Sequence, residues 1–149
     1  MSDTKISALT ELTALAADDE LAAVDTSATT TKKVTTQTMR GNTIAQLTDA
    51  ATIAIDAATS RNFYVTLGGN RTLGAMSNAS SFPGQSGDIW VYQDGTGSRL
   101  LAYNAAYDFA GGTAPTLSTD ANAVDLLSYT IDKDGNVTIV APALDRKGA

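Results

Sequence analysis

The sequence contains no cysteine and no histidine. Without cysteine there is no disulfide framework, no thiolate metal site and no sulfur nucleophile. Without histidine the commonest general base and transition-metal ligand is gone, and the Ser-His-Asp triad with it. Basic residues are few: 10 Lys and Arg stand against 16 Asp and Glu, a net charge of −6. A chain of that sign repels nucleic-acid phosphate and anionic membrane surfaces. Long apolar runs are missing as well; none approaches the roughly 20 residues that cross a bilayer. The opening stretch, MSDTKISALTELTALAADDE, has neither the basic region nor the apolar core of a signal peptide. Glutamate occurs only at Glu11 and Glu20, so the acidic charge is nearly all aspartate.

What is present points the other way from a helical protein. The 149 residues include 22 Thr and 25 Ala, and the polar surface must be built from Thr, Ser, Asn and Asp. Threonine suits strands, and Asn, Asp and Ser suit turns, whereas helical surfaces favour Glu and Lys. A hydrophobic content of 43% with modest net charge supports a packed core rather than disorder. The expected class is all-β.

Two regions differ in composition. Residues 1–48 hold no aromatic residue, while residues 49–149 hold all nine aromatics, eleven of the twelve glycines and all three prolines. Aromatic side chains carry much of the burial in a compact core. Residues 49–149 are therefore expected to form a self-standing β-domain, and residues 1–48 an extended segment with a small hairpin.

In the first region Ile6, Leu9, Leu12 and Leu15 recur every three residues, compatible with a short helical or 3₁₀-like winding. Residues 21–24 and 33–38 read as the hairpin, and Asn42 to Leu47 as a single helical turn. In the second region strands are expected at 51–56, 62–67, 71–75, 87–93, 98–103, 124–131 and 136–141, separated by Gly-, Asn- and Asp-rich turns. About seven short antiparallel strands with such punctuation read as a β-sandwich or jelly-roll-like domain. Strand 87–93 is the strongest. Ile89, Val91 and Gln93 face one way and Trp90 and Tyr92 the other, so both faces require cover. The second cover is expected from a neighbouring subunit, which marks Trp90 and Tyr92 as oligomer-interface residues; Tyr103 is expected with them, because such aromatics are more often core or subunit-interface residues than a sugar platform.

Motifs for chemistry fail on inspection. Asp132-Lys-Asp-Gly-Asn136 has the start of a calcium loop, but glycine follows the second aspartate directly and Ala143 stands where the bidentate glutamate belongs. It reads as an Asp-Gly hairpin turn. Asp94-Gly-Thr-Gly97 and Gly68-Gly-Asn70 lack phosphate-loop spacing and read as strand connections. Asp88, Asp94 and Asp108 lie near Trp90, Tyr92, Tyr103 and Tyr107, a combination a sugar-cleaving or sugar-binding site would need. Aspartate beside a turn more commonly bonds its own backbone. No catalytic, cofactor-binding or metal-binding residue is expected. Arg61, Arg71 and Arg99 stand at strand starts, either solvated or paired with an aspartate on a neighbouring chain.

Leu67-Gly-Gly-Asn-Arg-Thr-Leu73, Pro83-Gly84-Gln85, Val91-Tyr-Gln-Asp-Gly-Thr-Gly-Ser-Arg-Leu100, Tyr107 with Gly111 to Ser118, and Ala121-Asn-Ala-Val-Asp125 follow one another across residues 51–141. Together they resemble a module common in tailed-bacteriophage fibre and head-surface proteins. Lys5-Ile-Ser-Ala-Leu9, Asp19 to Asp25 and Thr31-Lys-Lys-Val-Thr35 are similar to the attachment segments that open phage fibre and spike proteins. The resemblance implies a trimeric virion structural protein rather than an enzyme, made in the cytoplasm of the bacterial host and placed on the outer capsid surface. It implies binding to the major capsid protein or another virion protein through the N-terminal segment, with no nucleic acid and no membrane as partner. The chain has no repetitive shaft and no separate tip after residue 141, which favours a decoration (cement or head-fibre) protein. A tail-fibre or baseplate adaptor is the alternative, and a carbohydrate-binding module a third reading. The expected attachment residues are Ile6, Leu9, Leu12, Leu15, Leu21 and Val24 as apolar anchors, with Lys32 and Lys33 as charge contacts.

Overall fold

The structure is a computed structural model, and it describes residues 20–25, 30–35 and 43–146. Two compact units divide the chain, Met1–Asn42 and Thr43–Ala149. The boundary falls six residues before the expected one (42 against 48), because residues 44–46 belong to the second unit's sheet.

The first unit contains an antiparallel hairpin, β1 (Glu20–Asp25) and β2 (Thr30–Thr35), in register from Glu20 opposite Thr35 to Asp25 opposite Thr30. The expected hairpin is present, with its second strand starting three residues earlier than the Lys33 read from sequence. The expected Ile6–Leu15 winding lies outside the described residues.

Among the described residues the second unit has nine strands: β3 (Ile44–Gln46), β4 (Thr52–Asp56), β5 (Asn62–Leu67), β6 (Arg71–Ser77), β7 (Ser86–Gln93), β8 (Leu101–Tyr103), β9 (Tyr107–Phe109), β10 (Val124–Ile131) and β11 (Val137–Ala143). They form a six-stranded sheet in the order β3-β5-β7-β10-β11-β9 and a three-stranded sheet in the order β4-β6-β8. The all-β class stands. The antiparallel expectation needs correction: five of the seven strand pairs in this unit are parallel, and only β7-β10 and β10-β11 are antiparallel.

The reason lies in the path of the chain. From β3 to β8, successive strands alternate between the two sheets. Each return to a sheet lays the new strand parallel to the one before it. Ile44 pairs with Asn62 and Phe63 with Ile89 in one sheet, and Thr52 with Thr72 and Thr72 with Ala102 in the other. The result is a coil of three rungs, β3/β4, β5/β6 and β7/β8. Where a helical turn is expected over 42–47, residues Ile44–Gln46 form instead the first strand of this coil. Hairpin β10-β11 then extends the larger sheet, and β9 closes its far edge in parallel with β11.

Period-2 alternation sets the burial. Ile53 and Ile55, Phe63, Val65 and Leu67, and Ile89, Val91 and Gln93 are buried on the inner side of β4, β5 and β7. Leu127, Tyr129, Ile131, Val137 and Ile139 supply the same side of the hairpin, and all but Gln93 belong to one hydrophobic cluster. A fully buried side chain of this size contributes roughly 1.5–3 kcal/mol. Gln93 is buried but satisfied. Its Nε2 donates to the carbonyls of Arg99 and Ser118, and its Oε1 accepts from the Arg99 amide.

Candidate functional site

Of the expected attachment residues, Ile6, Leu9, Leu12 and Leu15 lie outside the described residues. Leu21 and Val24 are placed on β1, at register positions opposite Val34 and Thr31, and Lys32 and Lys33 on β2, opposite Ala23 and Ala22. Leu21 and Val24 are three apart, so they hold register positions of opposite parity, as do the adjacent lysines.

The expected interface residues separate into two places. Trp90 and Tyr92 stand together on the outer side of β7, both half-buried, opposite the inward Ile89 and Val91. The parallel register brings Tyr64 beside Trp90 and Thr66 beside Tyr92. On the other flank the antiparallel register brings Leu126 beside Trp90 and Val124 beside Tyr92. Ile44, 54% exposed, completes a shallow groove of about 570 Å³ with Tyr64, Thr66, Trp90 and Tyr92. Tyr64 and Tyr92 meet edge to face with centroids 6.5 Å apart, and the Tyr64 hydroxyl donates to Gln46 Oε1 at 2.9 Å. The groove offers aromatic faces and edges and a rim of amide and hydroxyl groups, with no charged side chain in its lining. Such a surface suits planar or apolar contact. Tyr64 and Thr66 were not singled out from the sequence, although the alternation in Asn62-Phe-Tyr-Val-Thr-Leu67 carries the signal.

Tyr103 lies elsewhere, at the end of β8 in the three-stranded sheet. Its ring packs edge to face on Phe109 at 5.2 Å, and its hydroxyl is buried with no hydrogen-bond partner among the described residues. Burial pushes this phenol well above its ordinary range, and the nearby Asp125 charge adds to the effect. Tyr107 is a core residue, 5% exposed, whose hydroxyl donates to the Gly74 carbonyl at 2.6 Å.

Of the aspartates that flank the aromatics, Asp94 and Asp88 are engaged by other side chains. Asp94 accepts from the amides of Thr96 and Gly97 and from the Arg99 guanidinium at 2.8 Å. The Arg99 hydrogen bond holds its carboxyl below the usual range. Asp132 accepts from the amides of Asp134 and Asn136 and from the Asn136 side chain, as the turn reading requires. Asp88 accepts from the Ser128 hydroxyl. Asp125, 1% exposed and given no role from the sequence, accepts from the amides of Ser118 and Asp145 and pins two loops to β10. Arg71 and Arg99 find their carboxylates within the same chain, Arg71 on Asp49 at 2.6 Å and Arg99 on Asp94. That replaces the alternatives of a solvated strand end or a neighbouring chain's aspartate for these two. The Arg71 hydrogen bond lowers the Asp49 pKa.

No protein-family model, curated protein or solved structure matches this chain.

Proposed function

We propose that this chain is a bacteriophage capsid decoration protein. It binds the outer capsid surface as a trimer and stabilises the shell. The single observation that carries the reading is the division of the chain. The unit Met1–Asn42 lies wholly within the aromatic-free region rich in Ala and Thr, and a compact β unit with its own core forms the other. That is the organisation expected of an attachment segment joined to an outward-facing domain. The two sheets around one hydrophobic cluster suit a sandwich-like module, with the half-buried Trp90 and Tyr92 surface available to a neighbouring subunit.

Stabilisation follows from mass action, since a ligand that binds only the assembled shell favours that shell. Each anchor among Ile6, Leu9, Leu12, Leu15, Leu21 and Val24 contributes roughly 1.5–3 kcal/mol if fully buried against the capsid. Ordering the segment opposes this by about 1–2 kcal/mol per residue. The net for one chain is small, so three linked chains acting together supply the affinity. Lys32 and Lys33 add charge contacts that are typically worth under about 1 kcal/mol when exposed.

The third reading, a carbohydrate-binding module, draws on the aromatic groove of Tyr64, Trp90 and Tyr92. Copy number separates the structural readings. A stained gel of purified particles is expected to show hundreds of copies per particle. A few to a few tens would indicate a tail-fibre or baseplate adaptor instead.

A further inference from the structure

Strands β3, β5 and β7 pair in parallel, and parallel sheets are ordinarily covered on both faces. The inner side of this run packs into the core, and the outer side carries the groove of Ile44, Tyr64, Thr66, Trp90 and Tyr92. The register sets Tyr64 beside Trp90 and Thr66 beside Tyr92, so the three rings occupy neighbouring positions on two strands. The face of an aromatic ring carries the negative side of its quadrupole and attracts weakly positive C–H groups.

Hydrogen-bonding groups set this face apart from a plain apolar patch. Among the described residues the Trp90 indole N–H and the hydroxyls of Thr66 and Tyr92 make no hydrogen bond, and none of the three is closed off from solvent. The Tyr64 hydroxyl donates to Gln46 Oε1, which leaves the N–H groups of Gln46 Nε2 open at the rim. Indole and amide N–H groups only donate. A flat apolar protein face laid over them would strip their water and return no acceptor, which is unfavourable. The fitting occupant has C–H groups on its face and oxygen atoms around its edge, as a pyranose ring has. Charge narrows the class further. The groove lining holds no charged side chain, and the one charge on β7 is Asp88, two residues before Trp90 on the same side. Asp88 Oδ1 accepts from the Ser128 hydroxyl at 2.6 Å, and among the described residues Oδ2 makes no hydrogen bond. An anionic ligand meets no cation in this lining and a carboxylate beside it, whereas a sugar hydroxyl can donate to that carboxylate.

We propose that this groove binds an uncharged pyranose residue of a glycan. The C–H face of the sugar lies on the aromatic rings with Ile44 at its edge, and its hydroxyl oxygens accept from Trp90 Nε1, Gln46 Nε2 and the hydroxyls of Thr66 and Tyr92. The inference goes beyond capsid decoration and rests on the carbohydrate reading, to which it gives a ligand class. The open donors assign Trp90 and Tyr92 to that ligand rather than to a neighbouring subunit.

The test uses the purified full-length protein without particles, so its outcome is independent of whether the protein decorates a capsid. Trp90 is the only tryptophan of the chain, and its emission reports on the groove without a label. The protein is titrated with cellohexaose, maltohexaose and chitohexaose as uncharged probes and with hexagalacturonic acid as their acidic counterpart. At least one uncharged probe is expected to change the Trp90 emission saturably and to bind at least tenfold more tightly than the acidic one. No response to any uncharged probe overturns the proposal and the carbohydrate reading together. Equal or tighter binding of the acidic probe overturns the proposal. By calorimetry, Trp90→Ala is expected to weaken binding at least tenfold. Tyr92→Phe removes a hydroxyl and keeps the ring against Tyr64; it is expected to weaken binding at least threefold with an unchanged melting temperature, and it decides if Trp90→Ala does not fold. Binding that survives these changes overturns the groove as the site and leaves the carbohydrate reading standing. Trp90 emission that shifts on dilution of the protein and ignores every sugar overturns the proposal in favour of a second copy on this face.

Discussion

Within the compact unit, the coil β3–β8 and the hairpin β10-β11 solve the same packing problem by different routes. The coil never pairs consecutive strands. Each of its contacts joins residues about one rung apart, from 18 positions for Ile44 and Asn62 to 30 for Arg71 and Leu101. The hairpin pairs Ile131 with Val137 across a short Asp-Gly turn. Yet both halves bury alternate residues in one cluster, and β7 joins them by pairing parallel with β5 and antiparallel with β10. A single core can thus be assembled from local and distant pairings, provided that one strand serves both.

The largest expected effect tests whether the halves form one cooperative unit. Phe63 in the coil and Leu127 in the hairpin are both 0% exposed. Phe63→Ala is expected to cost about 3–5 kcal/mol and Leu127→Ala about 2–5 kcal/mol. Urea unfolding followed by Trp90 fluorescence and by circular dichroism should give one coincident transition for each variant. Separate transitions would mean that coil and hairpin unfold independently.

A somewhat smaller loss is expected at the joint itself. Gly87 on β7 sits against the Arg61 carbonyl and the Tyr129 ring, and a Cβ placed there would overlap the carbonyl oxygen. The missing side chain lets the Tyr129 hydroxyl donate to that same carbonyl at 2.9 Å. Gly87→Ala is therefore expected to cost about 1–3 kcal/mol, the range for forced overpacking. An unchanged urea midpoint would mean that the two halves are not held together there.

The smallest effect is the response to pH near neutrality. Asp49, Asp56, Asp94 and Asp132 have carboxyl pKa values lowered chiefly by side-chain hydrogen bonds from Arg71, Asn78, Arg99 and Asn136. A lowered folded-state value contributes stability that is present above the unfolded value, near 4, and is lost as pH falls through the folded one. Burial raises Tyr103, Tyr107 and Tyr129, so their contribution is present below about pH 10 and lost as pH rises beyond it. Melting temperature should be nearly flat from pH 5 to 9 and fall on both sides. A midpoint that moves sharply within that range would contradict the assignment.

The hairpin was legible in the sequence and the coil only in part, for a physical reason. Asp132 to Asn136 between two alternating runs encodes a local turn, and the structure has that turn. Alternation likewise separated Ile89, Val91 and Gln93 from Trp90 and Tyr92. It says nothing of strand direction, so the parallel pairs were missed. β3 and β9 have three residues each, too few to show a period, and β3 is a strand because β5 lies beside it. Of the interface residues, Trp90 and Tyr92 were grouped with Tyr103 by residue type, whereas the chain path assigns them to different sheets.

In the proposed function, the region before the compact unit holds the protein on the particle. The direct measurement is capsid occupancy, read from a gel of particles lacking this protein after mixing with either the full chain or a variant deleted for residues 1–24. The deleted protein is expected to remain trimeric in solution and to leave the particles bare. Decoration at the occupancy of the full chain would contradict it.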